Sequence, residues 1–258
     1  MLVRFTHPNG PANVFALARN HQKLYLIDDA AYLGGINISD HNFAWHDVMV
    51  RVYDPAVARA VAADFEASFA GQRRTADEAI VTNRALARTF DELVAGARHR
   101  VVVASPYAVD RRLAELLEAS PARSKTVAVA PENNFWCLQL IAPYLFHRLD
   151  RAGVRLLRFP RFSHAKFLVV DHDALLVGSS NFGRHSLSCN DEIGVVIRDR
   201  AFIAAFEREM LSGPKPVEPG PGRRRRLAGR ASAAVIDRGL IVYPRTIVPL
   251  VPTLAPDP

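Results

Sequence analysis

Apolar stretches alternate with segments of helical periodicity along most of the chain. LARTFDELVAGARH (86–99) repeats its apolar residues at the spacing of one helix face and predicts an amphipathic helix, whereas RVVVASPY (100–107) predicts a buried strand. The other expected elements are helices over 111–120 and 133–153 and strands over 126–131, 154–159, 164–171, 173–181 and 192–199. Strands that alternate with crossover helices predict an α/β fold with a mixed, largely parallel sheet covered by helices.

The chain contains two copies of one sequence unit. NHQKLYLID (20–28) aligns without a gap with SHAKFLVVD (163–171), and HDVMVRVYDPAV (46–57) later aligns with DEIGVVIRDRAF (191–202). A histidine, a lysine and an aspartate therefore recur in the same order, as His21, Lys23 and Asp28 and as His164, Lys166 and Asp171. Such a duplication predicts two pseudo-symmetric halves.

The two copies differ in length, because about 65 residues of its own copy precede His164 but only 20 precede His21. We interpret residues 1–71 as the C-terminal half of a first repeat, 72–85 as a linker and 86–213 as a complete second repeat. The first repeat is thus expected to be N-terminally incomplete. Two interpretations stay open: a sequence truncated from a longer protein, or a reduced first half with exposed sheet edges.

Each histidine precedes its lysine by two residues. Residues two apart on a strand point to the same face, so His21 and Lys23 are expected to project together, as are His164 and Lys166. Burying an imidazole beside an ammonium group without partners is costly, which places both pairs at a polar site.

Glycine and asparagine follow both pairs at matching distances. Gly34 and Gly178 are expected to let the next strand approach closely and so to bring Asn37 and Asn181 beside the histidines. Lysine plus asparagine, each present twice, suits the binding of one tetrahedral oxyanion such as phosphate.

Two carboxylates complete the candidate site. Asp47 and Glu192 lie 26 and 28 residues beyond His21 and His164, where each could accept the Nδ1 hydrogen of its histidine and leave Nε2 free. Two histidines suffice for displacement at phosphorus: one attacks to form a phosphohistidine and the other protonates the leaving oxygen. No metal or other cofactor is needed.

The third residue of each motif allows two interpretations. The first is membership of the catalytic set, together with the histidine and the lysine. The second is a structural hydrogen-bond acceptor, because Asp28 and Asp171 are expected on the opposite strand face from the histidines.

The net charge of +7 is concentrated at the C-terminus, where residues 214–258 carry eight Lys and Arg against three Asp and Glu. The nearly neutral remainder argues against nucleic acid as a partner. With nine of the 17 prolines, the tail is expected to be mostly extended or disordered. Its Arg223–Arg226 run is either a solvated cluster or a tether to anionic lipid.

Two cysteines, Cys137 and Cys189, form no scaffold of disulfides and no C-x-x-C zinc motif, so a reducing compartment fits best. The sequence also contains no apolar run of bilayer length and no basic-then-apolar signal at its start. We expect a protein that is soluble or peripheral to a membrane.

The paired stretches HQKLYLID…GGIN and HAKFLVVD…GSSN resemble the duplicated motifs of the phospholipase D superfamily, and VVVASPY with WHDVMVRVYDPAV is most similar to bacterial cardiolipin synthases. The resemblance covers about residues 15–213. It implies an α-β-α sandwich of two pseudo-symmetric lobes and a phosphohistidine intermediate without a metal. It also implies that His21, in the first motif, is the nucleophile.

One departure concerns the residues after the second motif, where these synthases commonly show N-x-D-x-R-S. Here the text is NFGRHS (181–186), with glycine and histidine in place of the aspartate and arginine.

The resemblance implies a phosphatidyl transferase or phospholipase acting on anionic glycerophospholipid, peripheral to the inner membrane in the bacterial cytoplasm. The alternatives are a metal-independent nuclease and an inactive copy that only binds phosphate. Four apolar residues are expected near the mouth of the site: Phe135, Trp136, Phe162 and Phe182.

Overall fold

The computed structural model describes residues 19–40, 42–72, 79–108, 110–131 and 136–217. The predicted tail beyond residue 217, with its arginine run, lies outside the described residues, as do His41 and Phe135.

The first lobe is a three-stranded antiparallel sheet with one helix. Its strands are β1 (Leu24–Ile27), β2 (Ala30–Gly34) and β3 (Met49–Val52), in that spatial order, and α1 (Pro55–Phe69) follows. A proline at the first helical position and the Asp54 carboxylate, which accepts the Ala56 N–H, start the helix. A short 3-10 turn (Asn42–Ala44) lies between β2 and β3.

The second lobe contains the remaining elements. Its helices are α2 (Asn83–Gly96), α3 (Arg111–Ala119), α4 (Trp136–Arg151), α5 (Arg184–Cys189) and α6 (Arg200–Leu211). Its strands are β4 (Val81–Thr82), β5 (Arg100–Ala104), β6 (Ser124–Val129), β7 (Val154–Arg158), β8 (Phe167–Val170), β9 (Ala174–Gly178), β10 (Ile193–Ile197) and β11 (Lys215–Pro216). They form one sheet in the order β11-β7-β6-β5-β8-β9-β10-β4.

The sheet is mixed, as predicted, but the expectation that it is largely parallel was wrong. Only β5, β6 and β7 run parallel, and every other neighbouring pair in the described sheet is antiparallel. The reason is local: only three residues separate β8 from β9, and so short a connection can join only antiparallel neighbours.

Some boundaries also differ from the predicted ones. Strand β4 lies inside the predicted linker and pairs with β10, and α2 begins at Asn83. Strand β11 lies beyond the predicted end of the repeat at residue 213 and pairs with β7. Helix α5 lies in a segment that the sequence analysis left without an element.

The duplication is visible as a structural repeat, because β1-β2-β3 has the same order and pairing as β8-β9-β10. The two copies differ at their outer edge. Val169 and Val170 of β8, which also pairs with β5, are 0% and 5% exposed, whereas their counterparts Leu26 and Ile27 in β1 are 38% and 55% exposed. Among the described residues, β1 pairs with β2 alone.

The main hydrophobic core lies between the two sheets. Both lobes contribute to it, with Leu33 and Val50 from the small sheet and Phe167 and Val177 from the large one, and α1 and α6 complete it. A second core fills the opposite face of the large sheet under α2, α3, α4 and α5. This shared core fixes the position of each lobe relative to the other. We call the boundary at which residues of the two repeats meet the seam.

Two equivalent glycines hold the strands at the seam in close contact. A Cβ atom at Gly34 would lie 2.2 Å from the Val48 carbonyl oxygen, and one at Gly178 would lie 2.2 Å from that of Ile193. Both distances are far inside van der Waals contact with backbone that cannot rotate away. The predicted close approach is therefore present in both repeats.

We predict that Gly178→Ala lowers the free energy of unfolding by about 1–3 kcal/mol, because the new methyl group forces the β9–β10 backbone apart. The matched control is Gly96→Ala at the end of α2, where a Cβ meets nothing within 4 Å and the free energy of unfolding is expected to change little. Urea-induced unfolding followed by circular dichroism measures both. Equal stability of the two variants would show that the seam is not tightly packed.

Candidate active site

The two motif histidines lie in extended segments that directly precede equivalent strands. His21 and Lys23 come before β1, and His164 and Lys166 come before β8. The backbone around both is bonded in the same way: the His21 N–H donates to the Asp191 carbonyl at 2.9 Å, and the His164 N–H donates to the His46 carbonyl at 2.7 Å. The first residue of each motif is therefore hydrogen-bonded to the segment that precedes the third strand of the opposite repeat.

The orienting carboxylates are exchanged between the repeats. His21 Nδ1 lies 2.9 and 3.0 Å from the two carboxylate oxygens of Glu192, and His164 Nδ1 lies 2.8 Å from Asp47 Oδ2. The predicted pairing of each histidine with the carboxylate of its own repeat is therefore wrong. Since a carboxylate can only accept here, both imidazoles carry a hydrogen on Nδ1 and present Nε2.

Glu192 is held by a network that the sequence analysis missed. Its oxygens accept hydrogen bonds from the hydroxyls of Ser179 and Ser186, and the Asn190 Nδ2 donates to Oε1 at 3.2 Å. The available signal was the last serine of NFGRHS, the position that agrees with the N-x-D-x-R-S pattern. Four donors on one carboxylate, 1% exposed, stabilise its charged form.

Asp47 sits in a less polar setting than Glu192. Its Oδ1 accepts the Val48 N–H at 2.8 Å, and a Cβ at Gly35 would lie 2.3 Å from that oxygen. Serine stands at the equivalent position in the second repeat, where its hydroxyl binds Glu192. Gly35 in the first repeat therefore leaves room for the Asp47 carboxylate, whereas Ser179 in the second repeat donates a hydrogen bond to Glu192.

Both lysines are buried against their own histidines. Lys23 Nζ donates to the His21 carbonyl oxygen at 2.8 Å, and Lys166 Nζ donates to that of His164 at 2.5 Å. Lys166 Nζ also lies 2.9 Å from His164 Nδ1, which is no hydrogen bond in this tautomer because Nδ1 donates to Asp47. Their exposed fractions are only 8% and 0%, which puts two cations in a poorly hydrated seam.

Burial governs the protonation of these groups. It lowers the pKa of His21 below its ordinary value, an effect that the hydrogen bond and charge of Glu192 only partly oppose. It lowers the pKa of His164 in the same way against Asp47. Burial also lowers the pKa of Lys23 to about 8 and that of Lys166 to about 7. A bound anion would raise all four pKa values, because it favours the charged form of each group.

The asparagines lie where β2 and β9 have ended. The Asn181 backbone is fixed by the Ser105 hydroxyl, which donates to its carbonyl at 2.8 Å, and by its own N–H, which donates to Ser186 Oγ at 3.0 Å. Its side-chain Oδ1 is buried with no hydrogen-bond partner among the described residues. Asn37 is half-buried in the equivalent place. Their role as phosphate donors stays a prediction.

The motif aspartates are not brought into the site. Asp171, with φ 52°, accepts the backbone N–H groups of Arg98, His99 and Arg100 at 2.7–2.9 Å and ties the end of β8 to the start of β5. Those bonds lower its pKa although its burial acts in the opposite direction. Asp28 lies exposed in the equivalent turn, also with φ 52°. The structural interpretation describes Asp171, and its placement with the catalytic residues was wrong.

The expected apolar mouth is present only in part. Phe162 lies beside His164, with ring centroids 6.4 Å apart, and Trp45, which the sequence analysis missed, lies 5.2 Å from the same imidazole. Phe182 instead belongs to the core, where it is 1% exposed and stacks on Phe90 at 4.6 Å. Phe135 and the side chain of Trp136 lie outside what the structure describes.

Among the helices of the described residues, none combines the length and the apolar composition that a membrane span requires. The same part of the chain contains no group of three or more His, Cys, Asp or Glu side chains placed to hold a metal ion.

Comparison with known proteins shows which proteins this chain is similar to. The sequence model of "Cardiolipin synthase, PLD-like domain" matches residues 91–212. Cardiolipin synthase A of Pseudomonas entomophila (strain L48) is 29% identical over 225 residues, which are 75% of this chain and 47% of that protein. Residues 91–212 are therefore similar to the phospholipase D-like domain of cardiolipin synthases. The chain as a whole is similar to bacterial cardiolipin synthases and spans about half the length of the curated relatives it matches.

Solved structures support the fold. Phosphatidylserine synthase from Haemophilus influenzae Rd KW20 matches with a TM-score of 0.65 at 13% identity, over 87% of this chain and 70% of that one. Polyphosphate kinase from Porphyromonas gingivalis matches with a TM-score of 0.53 at 12% identity, over 85% of this chain and 39% of that one. These matches confirm the predicted phospholipase D-like sandwich, and their different names show that the fold alone does not set the substrate.

We predict that Asp47→Asn changes the titration of His164 and leaves that of His21 nearly unchanged. Removing the carboxylate removes the interactions that raise the pKa of His164, so this pKa falls further. Imidazole ¹⁵N chemical shifts measured against pH report both residues. The matched variant Glu192→Gln is expected to act on His21 in the same way. A change confined to His21 in Asp47→Asn, or to His164 in Glu192→Gln, would contradict the exchanged pairing.

Proposed function

We propose that this chain carries out phosphatidyl transfer or hydrolysis on anionic glycerophospholipid through a phosphohistidine intermediate. The observation that carries the proposal is the pair of exchanged dyads, His21 with Glu192 and His164 with Asp47, beside two buried lysines. The similarity to cardiolipin synthases supports lipid as the substrate class.

In the first step, Nε2 of one neutral imidazole attacks phosphorus. A nitrogen–phosphorus bond forms, the bond between phosphorus and the departing alcohol oxygen breaks, and the other histidine, protonated, gives its proton to that oxygen. Each imidazole needs a fixed tautomer for its role, which the carboxylate on Nδ1 supplies. The carboxylate also stabilises the positive charge that the attacking ring acquires.

In the second step, the histidine that gave up its proton acts as a base. It removes the proton of an incoming alcohol or water, whose oxygen attacks phosphorus while the nitrogen–phosphorus bond breaks. The product is a new phosphodiester with an alcohol and a phosphomonoester with water. Both histidines return to their starting protonation.

Lys23 and Lys166, with Asn37 and Asn181, are proposed to bind the non-bridging phosphoryl oxygens. Two cations in a seam with little water interact strongly with an anion, since screening there is weak.

The proposed partner is a phospholipid reached at an anionic membrane surface from the bacterial cytoplasm. Two exposed apolar side chains support this contact, Ile38 at 70% and Phe43 at 63%, because both lie on the loop that leads to Asp47. Their burial in lipid would be favourable.

We predict that His21→Asn and His164→Asn each lower the turnover of dioctanoyl phosphatidylglycerol by about a thousandfold or more, since each removes one of two obligatory proton or electron-pair donors. His99→Asn, an exposed histidine outside the site, is the matched control. Product lipids are measured by mass spectrometry, with single-stranded DNA as a parallel substrate. Cleavage of DNA without lipid turnover would favour a nuclease, and neither activity would favour a binding protein.

We also predict that affinity for tungstate, an oxyanion that keeps its charge between pH 6 and pH 9, falls as pH rises. The lysines with pKa values of about 7 and about 8 are charged below those values and lose the proton above them, so attraction is lost across this window. Calorimetric titration measures the affinity, and Lys166→Met should weaken it and flatten its pH dependence. An affinity that rises with pH would exclude the lysines as the anion ligands.

A further inference from the structure

The two histidines have different neighbours at positions that the duplication makes equivalent. Phe162, two residues before His164, corresponds to Arg19, two residues before His21. Trp45, two residues before Asp47, corresponds to Asn190, two residues before Glu192. An otherwise symmetric site is therefore aromatic around one imidazole and polar around the other.

The His164 side is an apolar wall. The rings of Trp45 and Phe162 are 4.8 Å apart and both lie against the imidazole, at 5.2 and 6.4 Å. Phe43, on the same loop as Trp45, is 63% exposed. Apolar surface therefore leads from His164 outward.

The His21 side is polar and contains an unpaired acceptor. Asn190 is 6% exposed, and its Nδ2 donates to Glu192, which directs Oδ1 away from the carboxylate. That Oδ1 is buried without a hydrogen-bond partner among the described residues, as a group meant for a ligand hydroxyl would be. Arg19 is exposed and close enough for its charge to lower the pKa values of His21 and Lys23.

We propose that these two sides discriminate the two halves of the phosphodiester: Trp45 and Phe162 contact its acylglycerol part, and Asn190 and Arg19 bind the polar alcohol that is exchanged. This inference rests on the proposed function and names the subsites within it. The Asn190 Oδ1 accepts a hydroxyl hydrogen of the alcohol, and the guanidinium favours an alcohol that bears a phosphate of its own.

The subsites assign the roles of the histidines. In an in-line displacement the departing alcohol leaves opposite the nucleophile and next to the acid. An alcohol bound beside His21 makes His21 the acid and His164 the nucleophile, which reverses the assignment implied by the family resemblance. The acylglycerol oxygen is not displaced, so its chains are free to lie along the aromatic wall.

The first test compares dioctanoyl phosphatidylglycerol with glycerophosphoglycerol, the same diester without acyl chains. Trp45→Ala is expected to lower the ratio of their kcat/KM values about tenfold or more, because only the lipid loses apolar contact. The matched control is Tyr53→Ala, which removes an exposed aromatic side chain directly after β3 and should leave the ratio unchanged. An unchanged ratio in Trp45→Ala would overturn the acyl subsite.

The second test does not need turnover. Trp136→Phe leaves Trp45 as the sole tryptophan, since the chain has two. Dioctanoyl phosphatidylglycerol, added below its critical micelle concentration, is expected to shift the Trp45 emission to shorter wavelength, and glycerophosphoglycerol is not. Emission that stays constant with the lipid, or that shifts equally with both ligands, would overturn the acyl subsite.

The third test concerns the alcohol. Arg19→Gln should raise the KM for deuterated glycerol 3-phosphate as the accepting alcohol about tenfold without changing the acyl ratio, whereas Arg155→Gln, an exposed arginine on β7, should change neither. Alkaline quench and peptide mass spectrometry should place the trapped phosphatidyl group on His164. A normal KM for glycerol 3-phosphate in Arg19→Gln, or trapping on His21, would overturn the alcohol subsite and its assignment of roles.

The proposed function and this inference fail differently. No turnover of either diester by the parent chain would contradict the proposed function, while the emission of Trp45 would still decide whether its side binds acyl chains. Turnover of both diesters with an unaltered ratio in Trp45→Ala would contradict the inference alone.

Discussion

The exchange of carboxylates between the two repeats is the constraint on which the site depends. A histidine from one copy is oriented by an acidic residue from the other, at 2.8–2.9 Å, and the backbone bonds at the start of each motif cross in the same direction. The packing that serves this exchange is visible in the shared core between the sheets. It is also visible in Gly34 and Gly178, where a single methyl group would separate the strands that carry the carboxylates.

Burial gives this arrangement its chemical character. Lys166 is fully buried and Glu192 nearly so, a combination that costs free energy unless the charges are close and hydrogen-bonded. Glu192 meets that requirement through four donors, whereas the lysines donate mainly to backbone carbonyls. The same desolvation that lowers the lysine and histidine pKa values makes the seam receptive to an anion.

Much of the architecture could be predicted from periodicity and self-similarity. The helices over 86–99 and 111–120 and most strands lie within a few residues of their expected places, because local pattern determines them. The antiparallel direction of β8 and β9 was readable from the single residue between the predicted strands over 164–171 and 173–181. It was missed because the alternation of strands with helices earlier in the repeat was extended to the whole sheet. Phe182 was misplaced because an apolar residue next to a polar motif is equally compatible with a mouth and with a core.

The site residues were found by their recurrence, but their pairing was not. Nothing in the sequence separation of 171 residues between His21 and Glu192 distinguishes a bond across the seam from one within a repeat. Only the three-dimensional relation of the lobes decides this. Asp171 illustrates the reverse case, since a residue that recurs within the motif serves the turn at the end of its strand.

The shared seam affects how a loss of activity in a substituted protein would be interpreted. The atoms that align the imidazoles also join the lobes. Any change that separates the lobes slightly would therefore weaken both histidine–carboxylate hydrogen bonds together. A substitution deep in the interface, far from phosphorus, would then resemble loss of a reactive group while the protein stayed folded. The same contacts align the histidines and hold the two lobes together.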